Sequence, residues 1–217
     1  MHIEEAVLTV TPAGMALLAG GAAAAAAGTA IGLRRMDYDR VPQVAMLSAA
    51  FFVASLIHVP LGVTSAHLVL NGLVGLVLGW AAFPAILIAL ALQTLLFGFG
   101  GLTSLGVNTV VMALPAVIVY YTFNRAVRAD REPLALAAGF AAGALGILLG
   151  ALLQAGVMTA VGEHFHRLAQ VVFVAHLPVA LLEGSVTGAT VVFLRKVRPE
   201  LLEAPLLLAP RLEVADA

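Results

Sequence analysis

Of the 217 residues, 62% are hydrophobic and 11% are charged, and a mean hydropathy of +1.05 excludes a domain whose whole surface meets water; the chain reads as an integral membrane protein. Cysteine is absent, which removes disulfides, thiolate zinc sites, iron–sulfur clusters and thiol catalysis and leaves amine, amide, imidazole and carboxylate as metal ligands. The formal net charge of -1, with basic residues scattered among loops, excludes the clustered basic face that nucleic acid requires.

The chain opens Met1-His2-Ile3-Glu4-Glu5 and carries no Lys or Arg before Arg34. A secretory signal needs a basic stretch ahead of its apolar run, so the start is expected to be retained, Met1 included, because His2 is too large a second residue for methionine removal. A terminal amine, the backbone nitrogen of His2 and its imidazole Nδ1 close two fused chelate rings around one ion. Such a set suits Ni(II), Cu(II) or Co(II) rather than the oxygen cages of Mg or Ca. The competing reading is an untied chain end.

A spanning helix takes about 20 mostly apolar residues. Seven segments fit, from residue 10 to 33, 42 to 58, 66 to 80, 83 to 98, 107 to 124, 133 to 161 and 170 to 195, the third and fourth joined by a tight turn over Gly79–Pro84. The predicted fold is an all-α polytopic membrane helix bundle, with one transmembrane domain over residues 1–198, a metal-chelating segment at 1–9 and a cytoplasmic tail at 199–217. In the first span, Gly20-Gly21 and Ala22–Ala27 read as a packing face for close helix approach. With the N-terminus outside, Arg34, Arg35, Arg40, Arg125, Arg128, Arg131, Arg195, Lys196, Arg198 and Arg211 lie inside and only Arg167 outside, as the charge rule for short loops requires. That orientation collects His2, His58, His67, His164 and His166 at the outer face and leaves His176 about two turns into the last span.

His67 can complete a four-nitrogen set with the chain start. Asn71, four residues on and predicted on the same helical face, either orients His67 or packs as an amide between helices. Gln93 and Asn108 flank the Gly-rich loop Gly98–Gly106, which is expected to cover the N-terminal segment. Glu183 is the one carboxylate well inside a span; with His176 seven residues before it, it forms either a relay or a structural contact. Glu163-His164-Phe165-His166 reads as a solvated loop or a transient collector of metal. The motifs of zinc proteases, serine hydrolases and phosphate-binding loops are absent, so no enzyme activity and no ATP hydrolysis by this chain are expected.

Four segments together, Met1-His2-Ile3, Gly62–Leu68, Gln93–Asn108 and His176–Gly184, resemble the CbiM/NikM family, the substrate-specific membrane components of energy-coupling-factor cobalt and nickel transporters. The resemblance implies an N-terminal segment folded back into the bundle from outside. It also implies metal ligation by the Met1 amine, the backbone nitrogen and imidazole of His2, and His67, with no resident cofactor. By the same resemblance the partners are a transmembrane coupling protein, cytoplasmic ATPases and a small accessory membrane subunit, in a bacterial inner membrane. The chain departs from the family pattern at Glu4-Glu5-Ala6, at Phe99 and at His58, which places His58 beside Asn71, Gln93 and Asn108 as a residue bordering the site. A self-sufficient secondary permease for transition metals, coupled to protons through His176 and Glu183, is the alternative.

Overall fold

The computed structural model describes residues 2–60 and 65–202, with the backbone alone for 58–60, 65 and 66. A short helix α1 (Glu5–Leu8) leads into α2 (Pro12–Arg35) and α3 (Val41–Ala54); the strands β1 (His58–Pro60) and β2 (Ser65–His67) follow. The rest is helical: α4 (Asn71–Leu78), α5 (Ala82–Phe97), α6 (Leu105–Val127), α7 (Glu132–Val161) and α8 (His166–Val197). Local chemistry sets several boundaries. Thr11 caps α2 by accepting the Gly14 N–H at 3.1 Å, and Pro12 occupies a first-turn position where its missing N–H is harmless. Gly98, at φ 72°, ends α5 in the left-handed conformation.

Among the described residues, five apolar stretches are long enough to cross a bilayer, Pro12–Arg35, Asn71–Phe97, Leu105–Val127, Glu132–Val161 and Glu163–Val197, against seven predicted. The predicted second span is helical over only the 14 residues of α3. The predicted third and fourth form the single stretch Asn71–Phe97, interrupted by a one-turn 3-10 segment at Gly79, whose φ is 55°. Long hydrophobic side chains such as Met15, Leu95, Leu152, Leu181 and Phe193 are exposed on the outside of the bundle, where lipid tails replace water.

The bundle has two distinct ends. At one, the Thr11 hydroxyl donates to the Val161 carbonyl at 3.1 Å and Phe52 meets Phe97. At the other, Arg35 lies over the Trp80 ring, Trp80 Nε1–H donates to the Tyr121 hydroxyl at 2.9 Å, and Lys196 meets Glu132 at 3.1 Å. The loops and helix ends carrying Arg34, Arg35, Arg40, Arg125, Arg128, Arg131, Arg195, Lys196 and Arg198 gather at this second end, and the turn before Arg167 is at the first. Arg211 lies outside the described residues. Of the predicted tail, Pro199–Leu202 forms a 3-10 turn with Leu202 buried.

Residues 66–70 are not helical, which corrects the predicted third span and the shared helical face of His67 and Asn71. β2 pairs antiparallel with β1, His58 opposite His67, and α4 starts only at Asn71. The physical reason is Leu70, at φ 55° the sole non-glycine residue with positive φ among those described. Its left-handed conformation costs about 1–2 kcal/mol and breaks the run of helical angles. A non-helical backbone inside an apolar bundle needs partners for its N–H groups. Glu183, on α8, supplies them: its Oε1 accepts from both Val69 N–H and Leu70 N–H, the latter at 2.8 Å.

Glycines set the closest approaches. The predicted alanine packing face holds in part: the Ala22 backbone backs onto Gly106 and Ala25 is buried, while Ala23, Ala24, Ala26 and Ala27 are exposed, and α2 packs otherwise through Gly21, Gly28 and Gly32. A Cβ at Gly28 would strike the Phe83 ring and one at Gly32 the Trp80 carbonyl. At Gly75, where α4 crosses α6, a Cβ would run into the Ala116 carbonyl, whereas at Gly20 it would meet nothing within 4 Å. Gly75→Ala is therefore expected to displace α4 and lower the yield of monodisperse protein in detergent. Gly20→Ala should keep the native elution profile and gain up to about 1 kcal/mol through helix propensity. Thermal unfolding of the two variants side by side checks the contrast.

Candidate metal site

The N-terminal segment is a plug. Ile3 and Leu8 are fully buried and Val7 nearly so, packed with Phe51, Leu90, Val111 and Met112 of the helices. Asn108, on α6, treats Ile3 as a neighbouring strand would. Its Oδ1 accepts from the Ile3 N–H at 2.9 Å, and its Nδ2 donates to the Ile3 carbonyl at 3.1 Å. The Gly-rich loop closes over this segment, as predicted: Glu5 N–H donates to the Gly100 carbonyl at 2.8 Å, Gly100 N–H to Glu4 Oε1 at 3.3 Å, and the Thr103 hydroxyl to Glu5 Oε2 at 2.7 Å. Gly100 has φ 77°, and a Cβ there would press to 2.8 Å of Asn108 Nδ2, so the cradle needs glycine at that position.

These contacts bring His2 to His67. Both are buried, their ring centroids are 4.7 Å apart, and His2 Nδ1 lies 3.1 Å from His67 Nε2. The tautomers follow from a chain of donors. The Ser55 hydroxyl donates to the Phe52 carbonyl at 2.7 Å, so its oxygen is left to accept from Gln93 Nε2. Gln93 therefore presents Oε1 to His2 Nε2, at 2.7 Å. Since Oε1 only accepts, His2 Nε2 carries the proton and Nδ1 the lone pair. On the other ring, His67 Nδ1 donates to the Leu68 carbonyl at 3.0 Å, which leaves the lone pair on Nε2. Burial holds the His67 imidazole well below the ordinary histidine range, and the neighbouring His2 acts in the same direction, so the neutral, metal-ligating form prevails at neutral pH.

Two lone pairs thus face one another. Cis ligands at about 2.0 Å from a metal are about 2.8 Å apart, close to the observed separation. Among the described residues no three His, Asp or Glu side chains converge. Met1 lies outside the described residues.

The other predicted residues separate clearly. Gln93 touches His2 directly, and Asn108 holds the residue after it. Asn71 does not reach His67: its Nδ2 donates to the Gly146 carbonyl at 3.0 Å, deep between α4 and α7, because the left-handed Leu70 rotates the start of α4 away from β2. His58 is placed by its backbone pairing opposite His67, and its side chain lies outside the description. His176 Nδ1–H donates to the Val172 carbonyl at 2.6 Å, and no hydrogen bond joins His176 to Glu183 among the described residues. His164 and His166 are exposed. Residues missed in the sequence are Ser55, which orients Gln93, and Gln154, whose Nε2 reaches the His2 carbonyl at 3.5 Å. Gln154 carries a legible signal, a lone amide inside the apolar run of α7; Ser55 carries none.

Residues 2–201 match the family described as the cobalt uptake substrate-specific transmembrane region, CbiM. A provisionally named metal transport protein of Haemophilus influenzae is 44% identical over 208 residues, covering 93% of this chain and 97% of that protein. The cobalt transport protein CbiM of Sorangium cellulosum is 32% identical over 187 residues, 78% of this chain and 80% of its own. The fused nickel transport protein NikMN of Rhodobacter capsulatus is 32% identical over 197 residues, 79% of this chain but 56% of the longer fused one. A crystal structure of a truncated transition metal transporter superposes with a TM-score of 0.73 at 27% identity, over 90% of this chain and 99% of that one. The chain belongs to the CbiM family of cobalt uptake substrate-specific transmembrane regions and is a multi-pass membrane protein.

Proposed function

We propose that this chain is the substrate-binding membrane component of an ATP-driven energy-coupling-factor importer for Co(II) or Ni(II). The ion is held by four nitrogens: the Met1 amine, the backbone nitrogen and Nδ1 of His2, and Nε2 of His67. The observation that carries the reading is the pair of buried, mutually facing lone-pair nitrogens 3.1 Å apart. The nitrogen offered by His2 is Nδ1, the atom that a chain-start chelate needs. A nitrogen-seeking transition-metal ion between them relieves the repulsion better than an oxygen-seeking one.

The basic end of the bundle is assigned to the cytoplasm and the His2 end to the outside, so the metal enters where the N-terminal plug and the Gly98–Gly106 loop close over it. A transmembrane coupling protein and cytoplasmic ATPases, with a small accessory membrane subunit, supply the energy. The ion leaves inward when these partners stabilise a state that binds it less well. Uptake into proteoliposomes with and without ATPase partners separates this importer from a stand-alone permease. Transport only with the partners and ATP is expected; uptake by the chain alone would overturn the coupling.

The ligand assignment has direct consequences. Calorimetric titration of protein with an unmodified N-terminus is expected to give tight Co(II) or Ni(II) binding, and one residue inserted between Met1 and His2 should abolish it without unfolding the protein. His67→Ala should lower affinity by about a hundredfold or more, while the His164→Ala/His166→Ala double variant stays near native. Unchanged affinity after the insertion would remove the chain start from the site.

The donor chain through Ser55 makes Gln93 the residue that fixes the tautomer of His2. Gln93→Leu is expected to weaken metal binding about 10- to 100-fold and Ser55→Ala to weaken it less, since Gln93 retains its own bond to His2. A Gln93→Leu variant that binds as tightly as the native protein would show that the tautomer is set elsewhere.

Orientation is testable because the chain has no cysteine. With single cysteines at Ser65 and Ala129, an impermeant thiol reagent applied to intact cells should label position 65 and spare position 129 until the membrane is opened. The reverse pattern would place the histidine pair on the cytoplasmic side and rule out capture from outside.

A further inference from the structure

Glu183 is fully buried in the middle of α8, and among the described residues no Lys or Arg pairs with it. Its Oε1 takes two N–H groups, those of Val69 and Leu70, and its Oε2 has no hydrogen-bond partner among the described residues. The relay reading lacks a contact: His176 Nδ1–H donates to the Val172 carbonyl of its own helix, and His176 Nε2, like Glu183 Oε2, has no hydrogen-bond partner among the described residues. What the carboxyl group does hold is the segment that follows His67.

That segment is used residue by residue. The Leu68 carbonyl receives His67 Nδ1 at 3.0 Å and so sets the ring. Val69 and Leu70 give their N–H groups to Glu183, and Leu70 sits at φ 55°, a conformation that a side chain with a Cβ adopts only when its surroundings enforce it. On the other side, the His67 backbone is paired with β1. The seat of the clamp is firm, because Gly143 of α7 leaves no room for a Cβ against the Glu183 backbone and the Thr187 hydroxyl. Without the carboxyl group, two buried N–H groups would lose their acceptor and Leu70 would relax toward negative φ. That rotation carries His67 away from His2.

We propose that Glu183 is a positioning residue for metal binding: through the backbone of Val69 and Leu70 it holds the left-handed turn that presents His67 Nε2 to His2 Nδ1. The role rests on the four-nitrogen reading above and adds to it the element that maintains the geometry. It makes a specific genetic statement. Glycine adopts positive φ without penalty, so glycine at position 70 removes the need for the clamp, and glycine at position 69 does not.

The test is Co(II) and Ni(II) titration calorimetry on purified full-length protein with its unmodified N-terminus, alongside the form with one residue inserted after Met1. Glu183→Leu, which removes the accepting oxygen, is expected to lower affinity about tenfold, in the range of residues that orient metal ligands. Glu183→Leu/Leu70→Gly should recover most of the loss, and Glu183→Leu/Val69→Gly should not. Native affinity in Glu183→Leu, or equal behaviour of the two glycine variants, overturns the clamp. If Glu183→Leu alone fails to yield folded protein, recovery of folded, metal-binding protein by Leu70→Gly and not by Val69→Gly is the expected result, and recovery by neither overturns it. The inserted form keeps the two readings apart: if it binds normally, the ligand assignment has failed; if it does not bind while Glu183→Leu binds like the native chain, only the clamp has failed.

Discussion

Two imidazole nitrogens that both carry lone pairs repel one another unless a cation lies between them, and at 3.1 Å that repulsion is held inside an apolar bundle by everything around it. The Phe52 carbonyl, the Ser55 hydroxyl and the Gln93 amide form one line of donors and acceptors that ends at His2 Nε2. The Leu68 carbonyl performs the same task for His67 with a single bond. In water such a pair would turn apart or share a proton. Burial removes the solvent, and the fixed partners on the far nitrogens remove the rotation. The outcome is a pair of rings whose orientations are fixed by partners other than each other, the kind of arrangement that needs little ordering entropy at binding.

The N-terminal segment reaches this position because its own backbone is satisfied when buried. Extended chain is normally unwelcome in an apolar interior, where each orphaned N–H or carbonyl is expensive. Here the Asn108 side chain imitates a neighbouring strand on both polar groups of Ile3, and the loop at Gly100 takes the Glu5 N–H. Ile3, Val7 and Leu8 then contribute burial like any core residue. Two of the departures from the expected pattern, at Glu4-Glu5-Ala6 and at Phe99, lie in this cover; the third, His58, is on β1. Phe99 places its ring 5.7 Å from that of His2, and Glu5 anchors to Thr103, so the lid over the site is partly apolar in this chain.

Much of this was legible in the residues, and the limits have physical causes. Hydropathy located the long helices, the charge pattern anticipated the basic end of the bundle, and His67, Gln93, Asn108 and the Gly-rich loop were found because polar residues and clustered glycines stand out in an apolar chain. Periodicity failed at residues 66–70, where Leu68-Val69-Leu70 is as apolar as any helix, and the deciding feature is a left-handed Leu70 enforced by a carboxyl group more than a hundred residues away in sequence. Local pattern carries no trace of such a constraint. For the same reason Asn71 was placed beside His67 by helical arithmetic that does not apply there. Ser55 was invisible because its role depends on which neighbour accepts its proton. The alanine tract misled in part: the Ala22 backbone and Ala25 pack inward, while Ala23, Ala24, Ala26 and Ala27 face outward.

The two histidines are tied to different parts of the bundle, and this bears on how a bound ion would be let go. His2 is fastened through Gln93 to α5, through Asn108 at Ile3 to α6, and through Gln154 to α7. His67 is fastened through Val69 and Leu70 to α8. No hydrogen bond among the described residues runs from α8 to the N-terminal segment. A shift of α8 against α5 and α6 therefore separates His2 Nδ1 from His67 Nε2 without breaking the hydrogen bonds that orient either ring. Metal–nitrogen bonds near 2.0 Å tolerate little lengthening, so a relative displacement of about 1 Å is enough to divide the proposed ligand set in two. In the proposed importer such a displacement would free the ion with neither protonation of a buried imidazole nor unfolding of the plug, and the helix that would move ends at Arg195 and Lys196, at the basic end of the bundle.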